Sequence, residues 1–158
     1  MFKKSIILIF IVFSFLVLYS QSKKEVKKFK IKSVIVSETI GTKTVFESKT
    51  VFDKNGETME EVNYNKDGEV KSTHKFKRNS EGDVIEETEY DSKNALKERR
   101  EVKYNSMGEK SEEYFYGADS KLIKKHSFTY NKFGLKTERK VFDASNKLIA
   151  LKKYQYTY

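Results

Sequence analysis

Tyr64-Asn65-Lys66-Asp67-Gly68-Glu69-Val70-Lys71-Ser72-Thr73-His74-Lys75-Phe76 holds an aromatic residue, a turn and a strand, and the chain repeats that order. Asn65 opens the turn, and Gly68 supplies the positive φ of a type I turn closed by a bulge. Glu69 to Phe76 then run with period two, the pattern of a strand. Aromatic residues recur at Phe52, Tyr64, Phe76, Tyr90, Tyr104, Tyr116, Tyr130, Phe142 and Tyr156, always 12 or 14 residues apart. Asp53-Lys54-Asn55-Gly56, Asn105-Ser106-Met107-Gly108 and Asn131-Lys132-Phe133-Gly134 follow three of them. Asn94 and Asn146 fill the glycine place in Asp91-Ser92-Lys93-Asn94 and Asp143-Ala144-Ser145-Asn146, where Asn is the next best residue. Such self-similarity marks a repeat array.

Zero prolines, ten tyrosines, twelve phenylalanines and many Val and Thr favour strands over helices. One strand and one turn per repeat predict an all-β fold: an antiparallel β-meander repeat array of about ten strands, as a curled single sheet or an open barrel. Pairing Asn79 with Asp83 across their turn sets Lys75 opposite Glu87. Pairing Asp91 with Ala95 sets Glu87 opposite Arg99, Glu89 opposite Lys97, Asp83 opposite Lys103, Glu86 opposite Arg100 and Val84 opposite Val102. Opposite charges meet, each pair contributing about 0.2–1 kcal/mol. In this register all nine anchors share one face, and Lys71, Lys75, Glu87, Glu89, Lys97, Arg99, Glu101 and Lys103 occupy the other. Ile31 to Val36 near one end, and Leu135, Val141, Ile149 and Leu151 near the other, make the terminal strands apolar on both faces. That pattern points to mutual contact, a docked partner or self-association.

Lys3 and Lys4 precede the apolar run Ile6 to Phe13, and small residues follow at Ser20 and Ser22. Residues 1–20 therefore read as a secretory signal peptide, cleaved after Ser20 or Ser22. The run is too short for a comfortable membrane span of about 20 residues, so no integral membrane protein is expected after cleavage. The expected product is exported, periplasmic or secreted, with a basic N-terminal arm at 21–30 and a β-repeat domain at 31–158. With no cysteine, disulfides, lipidation at a leader cysteine and thiolate metal sites are excluded. The formal charge is +9, falling to +7 when Lys3 and Lys4 leave with the leader. Outside the cytoplasm such a charge favours anionic glycans, lipid headgroups or cell-wall polymers over nucleic acid. Plain solubility explains it equally well. Lys23 to Lys30 reads as a solvated tail that can touch anionic polymers.

Tyr-Asn-Lys-Asp-Gly at 64–68, Tyr-Asn-Ser-Met-Gly at 104–108 and Tyr-Asn-Lys-Phe-Gly at 130–134 resemble the aromatic-Asp/Asn-x-x-Gly core of YD repeats. These are the repeats of RHS-type proteins and of short exported proteins of Bacteroidota, and a leader ending Tyr-Ser-Gln is similar to leaders in that phylum. The resemblance spans roughly residues 50 to 156. It implies β architecture and, weakly, carbohydrate binding.

Little in the chain points to chemistry. His74 and His126 fall on different strands with no cysteine or clustered carboxylate beside them, and read as sheet residues. The Asp/Asn-rich turns lack the bidentate Glu of a calcium loop, and no phosphate-binding loop or nucleophile elbow is present. No catalytic residue, metal site or cofactor is expected, and the chain reads as no enzyme. The candidate ligand-binding residues are Tyr90, Arg100, Tyr104, Tyr114, Tyr116 and Tyr130, expected on one face. Rings beside charged groups suit an extended glycan or envelope polymer. The alternative is a structural or protein-interaction module acting through its sheet edges or aromatic face, with rings that pack on cross-strand neighbours.

Overall fold

The computed structural model describes residues 23–157. The leader expected over 1–20 lies outside them. A short helix α1 (Lys23–Phe29) precedes ten strands: β1 (Ser33–Ile40), β2 (Lys43–Phe52), β3 (Thr58–Tyr64), β4 (Val70–Arg78), β5 (Val84–Asp91), β6 (Leu96–Tyr104), β7 (Lys110–Gly117), β8 (Leu122–Tyr130), β9 (Lys136–Asp143) and β10 (Leu148–Lys153). They form one antiparallel meander in chain order, so β1 and β10 are its two edges. The sheet is open, neither curled nor closed into a barrel.

The turns form as their residues dictate. Asn65 Oδ1 accepts the Asp67 and Glu69 amides, each at 2.9 Å, the side-chain mimicry for which Asn opens turns. Gly68 has φ +83, and Asn94 and Asn146 stand in the same left-handed region at φ 59 and 64. Gly117-Ala118-Asp119-Ser120 is a further turn of this kind, not named in the sequence analysis, with Ser120 at φ 61.

The register differs from expectation by one residue. Near each turn it is as derived: Asn79 N donates to Asp83 O, and Asp91 N to Ala95 O. Two residues further on, every turn that follows the repeat pattern adds a second bulge, as between Asn63 and Tyr64 or between Lys103 and Tyr104. A bulge sets two residues against one, and a one-residue slip exchanges the faces. Glu87 therefore lies between Phe76 and Arg100, not Lys75 and Arg99, and Glu86 faces Lys77 and Glu101. Val102 pairs with Glu113, and Glu89 faces Glu98, although Lys97 still reaches the Glu89 carboxylate.

The bulges also overturn the single anchor face. Tyr104 and Tyr130, before turns at one end of the sheet, point to the face that carries Arg100, here the front, and Tyr156 continues their series after β10. Tyr64, Tyr90, Tyr116 and Phe142, before the turns at the other end, point to the back. Phe76 is not in phase with them. The residue before the turn at Asn79 is Arg78, and with Arg78 in the series the spacing alternates strictly between 12 and 14. The repeat unit is thus 26 residues and two strands.

With one layer there is little interior. Among the described residues the buried apolar side chains are Val26, Val62, Val102 and Phe128. The last two are one repeat apart on the front face. Burial of one such side chain stabilises by about 1.5–3 kcal/mol, so ladder hydrogen bonds and cross-strand pairs hold most of the sheet. Val26 corrects the expectation of a solvated arm: Lys23–Phe29 is helical and seats Val26, 1% exposed, on the β2–β3 turn beside Gly56.

Candidate functional site

The six candidate residues divide between the faces. Tyr90, Tyr114 and Tyr116 lie on the back; Arg100, Tyr104 and Tyr130 lie on the front. This follows from the ladder, in which Arg99 pairs with Tyr116 while Arg100 pairs with Glu87 and Phe115.

On the back, cations cover the rings. Lys75 Nζ stands 5.2 Å from the Tyr90 centroid, Arg99 Cζ 4.1 Å from Tyr116 and Lys103 Nζ 4.8 Å from Tyr114. Such contacts are worth about 0.5–1 kcal/mol at exposed sites. The hydroxyls are engaged too: Tyr114 donates to Glu112 at 2.8 Å and Tyr116 to Glu101 at 3.1 Å. Burial, and the Glu101 carboxylate, push the Tyr116 phenol up.

On the front, the tyrosines lace neighbouring hairpins together. Tyr104 donates to the Val84 carbonyl at 3.0 Å, Tyr130 to the Lys110 carbonyl at 2.8 Å and Tyr156 to the Lys136 carbonyl at 2.7 Å. Each acceptor lies 20 residues upstream. Arg78, in the same series, reaches Thr58 O through Nε and Nη2 and Gly82 O through Nη1. Burial pushes the Tyr104 and Tyr130 phenols up. Sequence reasoning missed Arg78 because it sought an aromatic residue; the strict alternation of spacing is the signal that finds it.

Between these rows runs a strip of front-face charge. Glu87 pairs with Arg100 and lies 3.4 Å from His74. One repeat later Glu113, nearly buried, takes Lys110 at 2.7 Å, Arg100 at 3.2 Å and His126 at 3.3 Å. Burial opposes the Glu113 charge, but Lys110, Arg100 and His126 outweigh it and hold the carboxyl below its usual range. Burial likewise pushes His126 down, against the pull of Glu113. Glu87, Glu89, Glu98, Arg100 and Phe115 line a shallow depression of about 320 Å³ beside this strip. His74 and His126 thus each have a carboxylate partner, a contact the derived register did not show. Among the described residues no group of His, Asp and Glu has the arrangement of a metal site.

Charge is segregated along the array. Residues 31–119 carry 15 basic and 20 acidic residues, whereas 120–158 carry 10 and 2, so the surplus sits on β8–β10. The edges are apolar: Ile35, Val36 and Ile40 on β1, and Leu148, Ile149 and Leu151 on β10, are exposed.

No family model matches this chain, and no curated protein does. Among solved structures, TarM is similar at 12% identity over 80% of this chain and 22% of its own, with a TM-score of 0.34. A protein of unknown function from Bacteroides fragilis is similar at 13% identity over 82% of this chain and 96% of its own, with a TM-score of 0.43. The GtfA/B complex bound to UDP and GlcNAc is similar at 13% identity over 75% and 24%, with a TM-score of 0.30. The chain spans about a fifth of TarM's length. With TM-scores below 0.5, no reading of this chain rests on them.

Proposed function

We propose that this is an exported, non-catalytic interaction protein of the YD-repeat type that associates by strand addition at its two sheet edges. The observation that carries the reading is the pair of open edges. An unpaired strand presents a row of free N–H and C=O groups, and proteins that keep such a strand solvated blunt it with charge, proline or a cover. Here β1, Ser-Val-Ile-Val-Ser-Glu-Thr-Ile, has one charge, and β10 opens Leu-Ile-Ala-Leu. Ile40 is 68% exposed and Ile149 57%.

A second copy suits both edges. The number of strands is even, so β1 of one copy beside β10 of another continues the antiparallel alternation. The one charge on β1 is Glu38, and those on β10 are Lys152 and Lys153, so this pairing brings opposite signs together while β10 on β10 collects four lysines. The leader at residues 1–20 supports export. Glycan binding by a tyrosine array has less support, because the six residues are split between faces and every tyrosine already has a partner.

Sedimentation velocity across a concentration series tests this. The parent should grow in size with concentration, and Ile35→Lys with Leu151→Lys should stay monomeric at every concentration. A parent that remains monomeric throughout, with β10 amides exchanging equally fast at all concentrations, would overturn the reading.

A further inference from the structure

The 26-residue repeat places Glu61, Glu87, Glu113 and Arg139 at equivalent positions on the front face. The ladder agrees: Glu87 lies between Phe76 and Arg100, Glu113 between Val102 and His126, and Arg139 between Phe128 and Lys152. In the second and third units the acid gathers the surrounding basic side chains, and Glu113 alone takes Lys110, Arg100 and the His126 imidazole. In the fourth unit the acid is an arginine. The residues equivalent to Lys110 and His126 are Lys136 and Lys152, so a lysine stands where the earlier unit has an imidazole.

Three positive charges therefore stand together where the repeat elsewhere centres a carboxylate. Lys152 is directly opposite Arg139. Lys136 stands 4.6 Å from the centroid of Phe128, which is the Arg139 ladder partner, and 5.9 Å from Tyr154. Among the described residues no carboxylate forms an ion pair with any of the three, whereas Arg78, Arg99 and Arg100 each have one. The Nε of Arg139 is buried and has no hydrogen-bond partner. Like charges directly opposite in a sheet destabilise it, and a buried unpaired donor adds its desolvation cost. Nearby acids do not relieve this. Glu138 is engaged with Lys140 at 3.2 Å, and Glu113 with Lys110, Arg100 and His126.

We propose that Arg139, Lys136 and Lys152 form a binding site for the carboxylate of an acidic polysaccharide. The ligand takes the part that Glu113 plays one repeat earlier. Arg139 offers the planar fork that matches a carboxylate, and the two lysines flank it as point charges. A polymer suits the place because positive charge continues on the same face at Lys124, which stands over the Phe115 ring, and at the turn residues Lys132 and Lys147. Strand addition sets a neighbouring copy beside Lys152, whereas Arg139 lies one strand in on β9, so Arg139→Glu should leave the concentration dependence of size unchanged and separates this site from edge association.

Binding of the full chain to polygalacturonate, with neutral dextran, dextran sulfate and polyphosphate as comparators, reads this directly. Arg139→Glu restores the repeat pattern, so it should fold, melt at a higher temperature than the parent, and lose polygalacturonate affinity at least about tenfold. Lys93→Glu makes the same change in net charge on an exposed turn at a distance and should keep affinity within about twofold. Neutral dextran should not bind. Equal losses in Arg139→Glu and Lys93→Glu would reduce the effect to net charge and overturn the site. So would affinity for dextran sulfate or polyphosphate that exceeds polygalacturonate and responds to Arg139→Glu in the same way, because the group recognised would then not be a carboxylate. No binding of polygalacturonate by the parent at low salt overturns it as well.

Discussion

At the scale of single residues, the fourth turn position separates conformational cost from steric cost. Ser120 holds φ 61 with a side chain that gains nothing from that geometry, unlike glycine. Ser120→Gly should therefore raise stability by about 1 kcal/mol. Gly68 and Gly56 share the positive φ but not the surroundings. A Cβ on Gly68 meets nothing within 4 Å, whereas one on Gly56 would lie 2.8 Å from the Lys23 carbonyl oxygen and 3.5 Å from Val26 Cβ. Gly68→Ala should cost about 1 kcal/mol, and Gly56→Ala at least about 2 kcal/mol, because it also unseats α1. Urea unfolding of the three variants checks the order. Equal losses at the two glycines would mean that the helix does not pack on the β2–β3 turn.

At the scale of elements, the front-face hydroxyls tie each hairpin to the previous one at a single end of the sheet. Tyr104→Phe and Tyr130→Phe keep the ring and remove the bond to Val84 O or Lys110 O, so each should cost about 1 kcal/mol. The loss should appear as faster amide exchange at that end of β5–β6 or β7–β8, with the opposite turns unchanged. A loss spread evenly along the strands would argue that the ring, not the hydroxyl, holds the hairpins together. The second bulges belong to this scale as well. Each raises local twist, and together they alternate the anchors between faces, so that one end is laced by hydroxyls and the other covered by cations.

Across the whole molecule, a single layer with only four buried apolar side chains among the described residues leans on its charge strip. Glu113 is held below its ordinary value of 4.5 in spite of burial, and burial depresses His126 below its ordinary 6.5. Both groups bind fewer protons folded than unfolded, so both contributions are full above about pH 6.5. They decline as pH falls, the His126 part first and the Glu113 part below about 4.5. The melting temperature should thus drop from about pH 7 to about pH 4. His126→Gln should flatten the upper part of that drop and Glu113→Gln the lower part. A profile unchanged by either variant would remove the strip from the account of stability.

The amino-acid sequence by itself determined the strand count, the meander and nearly every turn, because these rest on local chemistry. Asn65 bonds its own backbone, Gly68 tolerates positive φ, and period-two patterning makes a strand wherever it occurs. Asn94 and Asn146 were legible for the same reason. The faces were not. They depend on an extra residue in each hairpin that leaves no mark on composition, and one such residue reverses every side chain beyond it. Tyr104 and Tyr116 look alike in the chain, yet the first donates to a backbone carbonyl on the front and the second lies under a guanidinium on the back. The seat of Val26 on Gly56 and the gathering of Lys110, Arg100 and His126 by Glu113 likewise belong to the tertiary structure. They join residues far apart in sequence, and only the accumulated register of ten strands brings such residues together.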